Sequence, residues 1–316
     1  MWKPNCWIVK TICVLLCACL LFCTGCTGEH LPADGVTFTD ALGRTVCVPK
    51  GVQRVATLIG SFAEVWQLAG GTVCATAADA WDDFGLELGD AVNIGGAHSP
   101  SLELLLSAEP DWVIASASTA ADVALKESLE AAGIPVAYFD VDTVEDYLAM
   151  LAICTDITGR KDLYDRHGER VREQIEQVKA DARLAALTES QRTVLLLRVS
   201  SGSVKAKGSR GTVLGEMLCD LGCVNIADSD TTLLEQLSVE SVMRRQPYRI
   251  FVVTMGDDTD AAMKNLSRIM SENAAWGTLE AVQNGRLHVM DRHLFNLKPN
   301  ARWGEAYETL CGTLCA

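Results

Sequence analysis

The cations of this chain are unevenly placed. Of its 316 residues 27 are Lys or Arg and 41 are Asp or Glu, a formal net charge of −14, yet residues 191–215 carry Arg192, Arg198, Lys205, Lys207 and Arg210 without one carboxylate. A second stretch, 286–303, holds Arg286, Arg292, Lys298 and Arg302 against the single acid Asp291. Guanidinium and ammonium groups gathered at a concave site focus an anionic ligand even when the surface as a whole is acidic. Spread over a solvated face, the same groups do nothing specific, and spacing alone leaves both readings open. On the first reading the candidate contacts are Arg198, Lys205, Lys207, Lys298 and Arg302. Phe62, Trp81, Met255 and Trp303 are then candidate walls for a bulky, partly apolar anion. His98, in the loop GGAHSPS, joins them because strand-end loops in open α/β sheets carry ligand sites.

Other chemistries have little footing. There is no GxGxxG, Walker loop, HExxH or GxSxG, and no nucleophile stands beside a base and an orienting group. A strongly acidic balance excludes a nucleic-acid binder, whose affinity rests on cations facing phosphates. Beyond the first 26 residues the cysteines are Cys47, Cys74, Cys154, Cys219, Cys223, Cys311 and Cys315, an odd number that rules out complete internal pairing. Cys219/Cys223 and Cys311/Cys315 are spaced four apart with no CxxC and no histidine nearby. They read as small buried hydrophobes rather than zinc ligands. No metal site and no resident cofactor are expected.

The other six cysteines mark the N-terminus. Lys3 and Lys10 give a positive start, and residues 8–23, uncharged after Lys10, form a mostly apolar run shorter than a membrane-spanning helix. The run ends in Cys23-Thr24-Gly25-Cys26, which resembles a bacterial lipoprotein processing site with Cys26 as the lipidated residue. A cleaved secretory peptide without lipid is the alternative. Residues 1–25 are thus expected to be a signal peptide and 26–35 a tether, leaving a lipid-anchored body outside the cytoplasmic membrane.

Strands alternate with helices through that body. Runs rich in apolar and β-branched residues at 54–60, 73–77, 112–116 and 136–140 predict one parallel sheet flanked by helices, and runs at 193–200, 223–227, 249–255 and 286–291 predict a second. Between them, residues 143–187 are rich in charge and strong helix formers and read as one long helical connection. The organisation expected is an N-terminal α/β lobe at 36–142, the connection at 143–187 and a C-terminal α/β lobe at 188–316. An internal repeat supports two lobes: SLELLLSAEPDWVIA at 101–115 aligns without a gap to SVESVMRRQPYRIFV at 238–252. Each copy reads as a serine N-cap, an early glutamate, a short helix and a proline-led turn into a buried strand.

With those elements in place, GRTVCVPKGVQRVATLIGSFAEVWQLAGG, GGAHSPSLELLLSAEPDWVIAS, GTVLGEMLCDLGCVNIAD and HLFNLKPNARWGEAY resemble the iron-chelate and cobalamin substrate-binding proteins of ATP-driven importers, over residues 36–316. The resemblance implies two Rossmann-like lobes joined by a single long rigid helix, with the ligand held between them. It implies a monomeric receptor rather than an enzyme, working with an ABC permease and its ATPase. Glu103 and Glu240 occupy the positions of the family's permease-docking glutamates. The cargo implied is a ferric siderophore or related iron chelate, with haem or cobalamin as alternatives within the class; a sensory lipoprotein or an exported enzyme on the same scaffold would be a different class.

Overall fold

The computed structural model describes residues 34–256 and 258–316. The expected signal peptide, Cys26 and the tether up to residue 33 lie outside the described residues. The chain enters through an antiparallel hairpin, β1 (Gly35–Thr39) and β2 (Thr45–Pro49). Asp40 ties it down: its carboxylate accepts bonds from the Leu42 and Arg44 amides, the Arg44 guanidinium and the Tyr138 amide. Burial works against its ionisation, but Arg44 and the amides outweigh that and hold the carboxyl below its ordinary range.

The first sheet contains β3 (Val55–Thr57), β4 (Val73–Thr76), β5 (Val92–Asn93), β8 (Trp112–Ser116) and β9 (Val136–Phe139), with a two-stranded ribbon β6 (Gly95–Gly96) and β7 (Ser99–Pro100) beside it. Its order is β5-β4-β3-β8-β9 and every pairing is parallel. The second sheet contains β10 (Thr193–Val199), β11 (Val204–Lys207), β12 (Val224–Asn225), β13 (Arg249–Thr254) and β14 (Leu287–Val289) in the order β11-β10-β13-β14, with β12 also on β10. Only β11 runs antiparallel. The strands read as near-continuous apolar runs because both faces of each sheet are covered.

Period-two alternation divides those faces between three cores. Ala56, Val113, Ala115 and Tyr138 fill an outer core behind the first sheet, and Leu195, Leu197, Ile250 and Val252 fill one behind the second. The alternate positions, Val55, Trp112, Ile114 and Phe139 in one sheet and Val194, Leu196, Phe251 and Val253 in the other, belong to a single core that runs through both. Phe62, Trp66, Leu151, Ile175, Leu214, Trp303 and Leu310 from the intervening helices complete it. Residues 34–316 accordingly form one compact unit.

The connection differs from one continuous helix. Thr143 and Asp146 form a capping box that starts the helix Val144–Thr158, and Gly159, at φ 74°, ends it. A second helical run follows from Lys161 to Lys179, with a π-helical stretch at Asp165–Glu169. This second run is the bridge. The Tyr147 hydroxyl donates to the His167 carbonyl at 2.8 Å, Lys179 reaches Asp220 at 2.8 Å, and the C-terminal helix Trp303–Leu314 lies along it.

The repeat is structural. Ser101 and Ser238 cap helices Leu102–Ser107 and Val239–Arg245 through their side chains, and the parallel pairs β3–β8 and β10–β13 occupy matching places. The residue before each proline, Glu109 (φ 46°) and Gln246 (φ 45°), takes the same left-handed conformation. Such a φ is rare in residues with a Cβ, and its recurrence at aligned positions is hard to obtain without a common design.

Close approach at Gly60 makes a test of this packing. A Cβ there would lie 2.5 Å from the Ala80 amide nitrogen and 2.6 Å from its Cα, whereas one on Gly312 meets nothing within 4 Å. Gly60→Ala is expected to cost about 1–3 kcal/mol and Gly312→Ala, in a helix interior, to gain about 0.5–1 kcal/mol. Urea unfolding of the two variants checks the contrast.

Candidate functional site

In open α/β sheets the crevice lies outside the carboxyl ends of the strands. Here the loops leaving β3, β4 and β9 face those leaving β10, β13 and β14, and three contacts join the two sides. Arg292, after β14, holds Asp83 with bonds of 2.5 and 2.9 Å. Lys298 Nζ lies 3.9 Å from Asp142, which follows β9. Asn300, wholly buried at φ 51°, donates to the Ser61 carbonyl at 2.9 Å and to Glu64 Oε2 at 2.6 Å. A cavity of about 570 Å³ at the mouth is lined from both sides, by Asp82 and Asp83 and by Thr254, Met290 and Arg292.

The hairpin of β10 and β11 makes the basic wall. Arg198 is directly opposite Lys205, and Lys207 lies opposite Leu196 on the same face, so three cations share one patch. Like charges directly across a ladder are destabilising. Lys205 and Lys207 form no ion pair among the described residues, and Arg198 Nε is buried without a hydrogen-bond partner. Burial pulls Arg198, Lys207 and Lys298 below their ordinary pKa values; Arg198 and Lys205 push Lys207 further down, while Asp142, Asp140 and Asp146 pull Lys298 back up. A buried, unpaired guanidinium nitrogen in a cationic patch is costly unless something supplies the anion.

The N-terminal wall is acidic. Asp79 Oδ2 accepts the Gly60 amide at 2.9 Å, while its Oδ1 is buried and unpaired. Asp122 accepts the Ser116 amide at 2.8 Å, and its other oxygen is likewise buried without a partner. Burial, aided by Asp79, pushes Asp122 up to about 7. Asp140 and Asp142 flank the buried Val141 just past β9, and neither side chain accepts a hydrogen bond among the described residues.

Of the residues expected from sequence, Arg198, Lys205, Lys207 and Lys298 come together. Met255 is 46% exposed just past β13, Trp81 is half-buried on the short helix Asp79–Asp82, and His98 is exposed in the β6–β7 turn within electrostatic reach of Asp79. Three expectations are corrected. Phe62 and Trp303 are wholly buried in the shared core, because each lies on the inward face of its helix, and so neither is a wall. Arg302 turns to Glu305, one helical turn on, with bonds of 2.7 and 2.8 Å, and stands apart from the cation patch. Sequence reasoning missed Asp83, Asp140, Asp142 and Asn300. The strand-end acids in AYFDVD and AWDDFG were the available signal. No group of three or more His, Cys, Asp or Glu among the described residues is placed to hold a metal, and Cys223 is a buried thiol pushed up by burial to about 11.

A cleft between two α/β sheets, with unpaired charges aimed into it and a core that ties its walls together, is the anatomy of a bilobal substrate-binding protein. The sequence matches the periplasmic binding protein family over residues 55–294, and the chain belongs to that family. It is 26% identical over 202 residues to the vitamin B12-binding protein of Pectobacterium atrosepticum, covering 63% of this chain and 71% of that one. Over 306 residues it is 22% identical to the putative ABC transporter substrate-binding lipoprotein YhfQ of Bacillus subtilis, covering 92% of each. The fold superposes on Staphylococcus aureus SirA complexed with staphyloferrin B with a TM-score of 0.66 at 19% identity, covering 88% and 97%. The protein is thus a substrate-binding protein of the periplasmic binding family rather than an enzyme. No helix among the described residues is long and apolar enough to cross a membrane.

Asp122 gives the cleft wall a pH signature. Its folded-state pKa of about 7 lies above the ordinary 3.8, so the folded protein keeps a proton that the unfolded chain releases. Its contribution to stability is full below pH 4 and is lost as pH rises through 7. Tm is therefore expected to climb as pH falls from 8 to 5.5, and Asp122→Asn to flatten that slope in differential scanning calorimetry.

Proposed function

We propose that the protein captures a ferric siderophore or a related iron chelate in this cleft and delivers it to the importer's permease. The observation that carries the reading is the half-buried Arg198 side chain, whose Nε is buried and unpaired on a patch it shares with Lys205 and Lys207 and with Lys298 in electrostatic reach. Carboxylate, catecholate and hydroxamate oxygens are the acceptors such a patch lacks. The bilobal scaffold shared with a staphyloferrin-bound protein and with a vitamin B12-binding protein is compatible with cargo of this size.

The repeat supplies the docking surface in this reading. Glu103 and Glu240 are exposed second residues of equivalent capped helices, and Glu240 is held ionised by its own amide and by Ser238. Two like anchors at pseudo-symmetric places suit a two-fold permease. Lipid attachment at Cys26 would keep the receptor beside it, in line with the lipoprotein name of the Bacillus relative.

Two outcomes test this division of labour. Intrinsic tryptophan fluorescence and thermal shift, titrated with ferric siderophores, haemin and cyanocobalamin, are expected to respond saturably to a ferric siderophore; a response confined to haemin or cyanocobalamin would overturn the cargo. Arg198→Gln is expected to weaken the bound chelate about tenfold. Glu103→Lys with Glu240→Lys is expected to leave that affinity unchanged and to abolish stimulation of the importer's ATPase. Loss of affinity in both sets would show that the roles are not separate.

A further inference from the structure

Both walls of the cleft carry charge the protein does not satisfy, and the signs are opposite. On the C-terminal side Lys205 and Lys207 form no ion pair among the described residues and Arg198 Nε has no partner. On the N-terminal side, among the described residues, Asp140 forms no ion pair, Asp79 Oδ1 is buried and unpaired, and Asp142 pairs with Lys298 at 3.9 Å. These groups do not neutralise one another although they feel one another: Asp142 acts on both Arg198 and Lys298, and Asp140 on Lys298. The reason is the distance between their elements. The shared core fixes the two sheets, and among the described residues the two sides meet where Arg292 holds Asp83, Lys298 reaches Asp142 and Asn300 bonds Glu64. Away from those contacts Asp140 on one side and Lys205 and Lys207 on the other form no ion pair among the described residues, and Arg198 Nε has no partner.

We infer that the cargo is an amphoteric chelate, with anionic oxygens against the Arg198, Lys205 and Lys207 wall and an ammonium or a hydroxyl-rich face against the Asp140 and Asp142 wall. This rests on the iron-chelate reading and adds the charge pattern of the ligand. A polyanion drawn to the basic wall meets Asp140 and Asp142 as like charges, and a plain cation meets Lys205 and Lys207. Juxtaposed like charges at an interface penalise the wrong partner by several kcal/mol. A ligand with both signs on opposite faces offers each wall a complement and gives Arg198 Nε an acceptor.

The experiment compares ferric complexes of a tris-catecholate with net charge −3, of a neutral trihydroxamate and of a chelator bearing both a free amine and free carboxylates. Binding to the full-length chain in detergent is followed by tryptophan fluorescence. The amphoteric complex is expected to bind at least tenfold more tightly than the tris-catecholate. Asp140→Asn with Asp142→Asn is expected to weaken the amphoteric complex about tenfold and to tighten the tris-catecholate, while Lys205→Gln with Lys207→Gln weakens both. Asp140→Asn alone, at an exposed position, shows the same directions should the double variant fail to fold. If a chelate binds and removal of the acids strengthens or leaves unchanged every complex, the amphoteric assignment is wrong and the iron-chelate reading stands. If no chelate binds and haemin or cyanocobalamin does, both are overturned.

Discussion

The apolar core that runs through both sheets is the constraint on which the rest depends. A two-lobed receptor whose lobes each closed around a private core would be joined only by the chain crossing between them. Here each sheet commits one face to an outer core and the other to a common one, filled by Trp66, Leu151, Ile175, Leu214 and Trp303. Opening the cleft by rotating one sheet away from the other would expose part of that common core, at about 25 cal/mol for each Å². The bridge of Lys161–Lys179 and the C-terminal helix packed along it are parts of the same body of contacts. Only modest closure is therefore open to the molecule, and recognition has to rest on what the walls already present.

That constraint explains why charges can remain unpaired in the cleft. In a flexible protein, surface lysines and aspartates a few ångströms apart find each other, and the gain of doing so is small. When the backbone elements are fixed by packing elsewhere, the wall separation is set without regard to the charges, and a residue such as Arg198 is held partly buried and short of a partner. The few contacts that do close the gap, Arg292 with Asp83 and Asn300 with Ser61 and Glu64, sit where the lobes are already in touch. The cleft is thus preorganised in its geometry, which lowers the cost of ordering on binding, and unsatisfied in its electrostatics.

Much of this was legible in the sequence, and the failures have physical causes. The buried strands stood out because β8, β9, β10 and β13 are nearly continuous apolar runs, and the repeat at 101–115 and 238–252 located equivalent helices to the residue. The short or polar strands did not. β11 reads Val-Lys-Ala-Lys, an alternation that sequence alone cannot separate from a loop, yet it is the strand that lays Lys205 and Lys207 beside Arg198. The continuous helix expected over 143–187 breaks at Gly159 because a glycine inside a helical pattern is tolerated or terminal according to the φ the tertiary structure demands, here 74°. Arg302, Phe62 and Trp303 were chosen for their chemical type. Their helical phase decided otherwise, turning the aromatics inward and setting the arginine one turn from Glu305. The acids carry a weaker signal in the sequence, because in a chain with 41 Asp and Glu a cluster of cations stands out while a few strand-end carboxylates do not.

The duplication and the asymmetry of the cleft are two sides of one history of constraint. The helices that follow Ser101 and Ser238 keep the same cap, the same exposed glutamate and the same left-handed residue before proline. Along the cleft the equivalence is gone: the strand ends of the first sheet carry Asp79, Asp140 and Asp142, and those of the second carry Arg198 and lead to Arg292 and Lys298. A ligand with no two-fold symmetry cannot be recognised equally by two identical walls, whereas a symmetric partner can be met by two identical anchors. In the proposed reading the surface that stayed duplicated serves docking and the surface that diverged serves cargo selection, and the shared core keeps the two in fixed register.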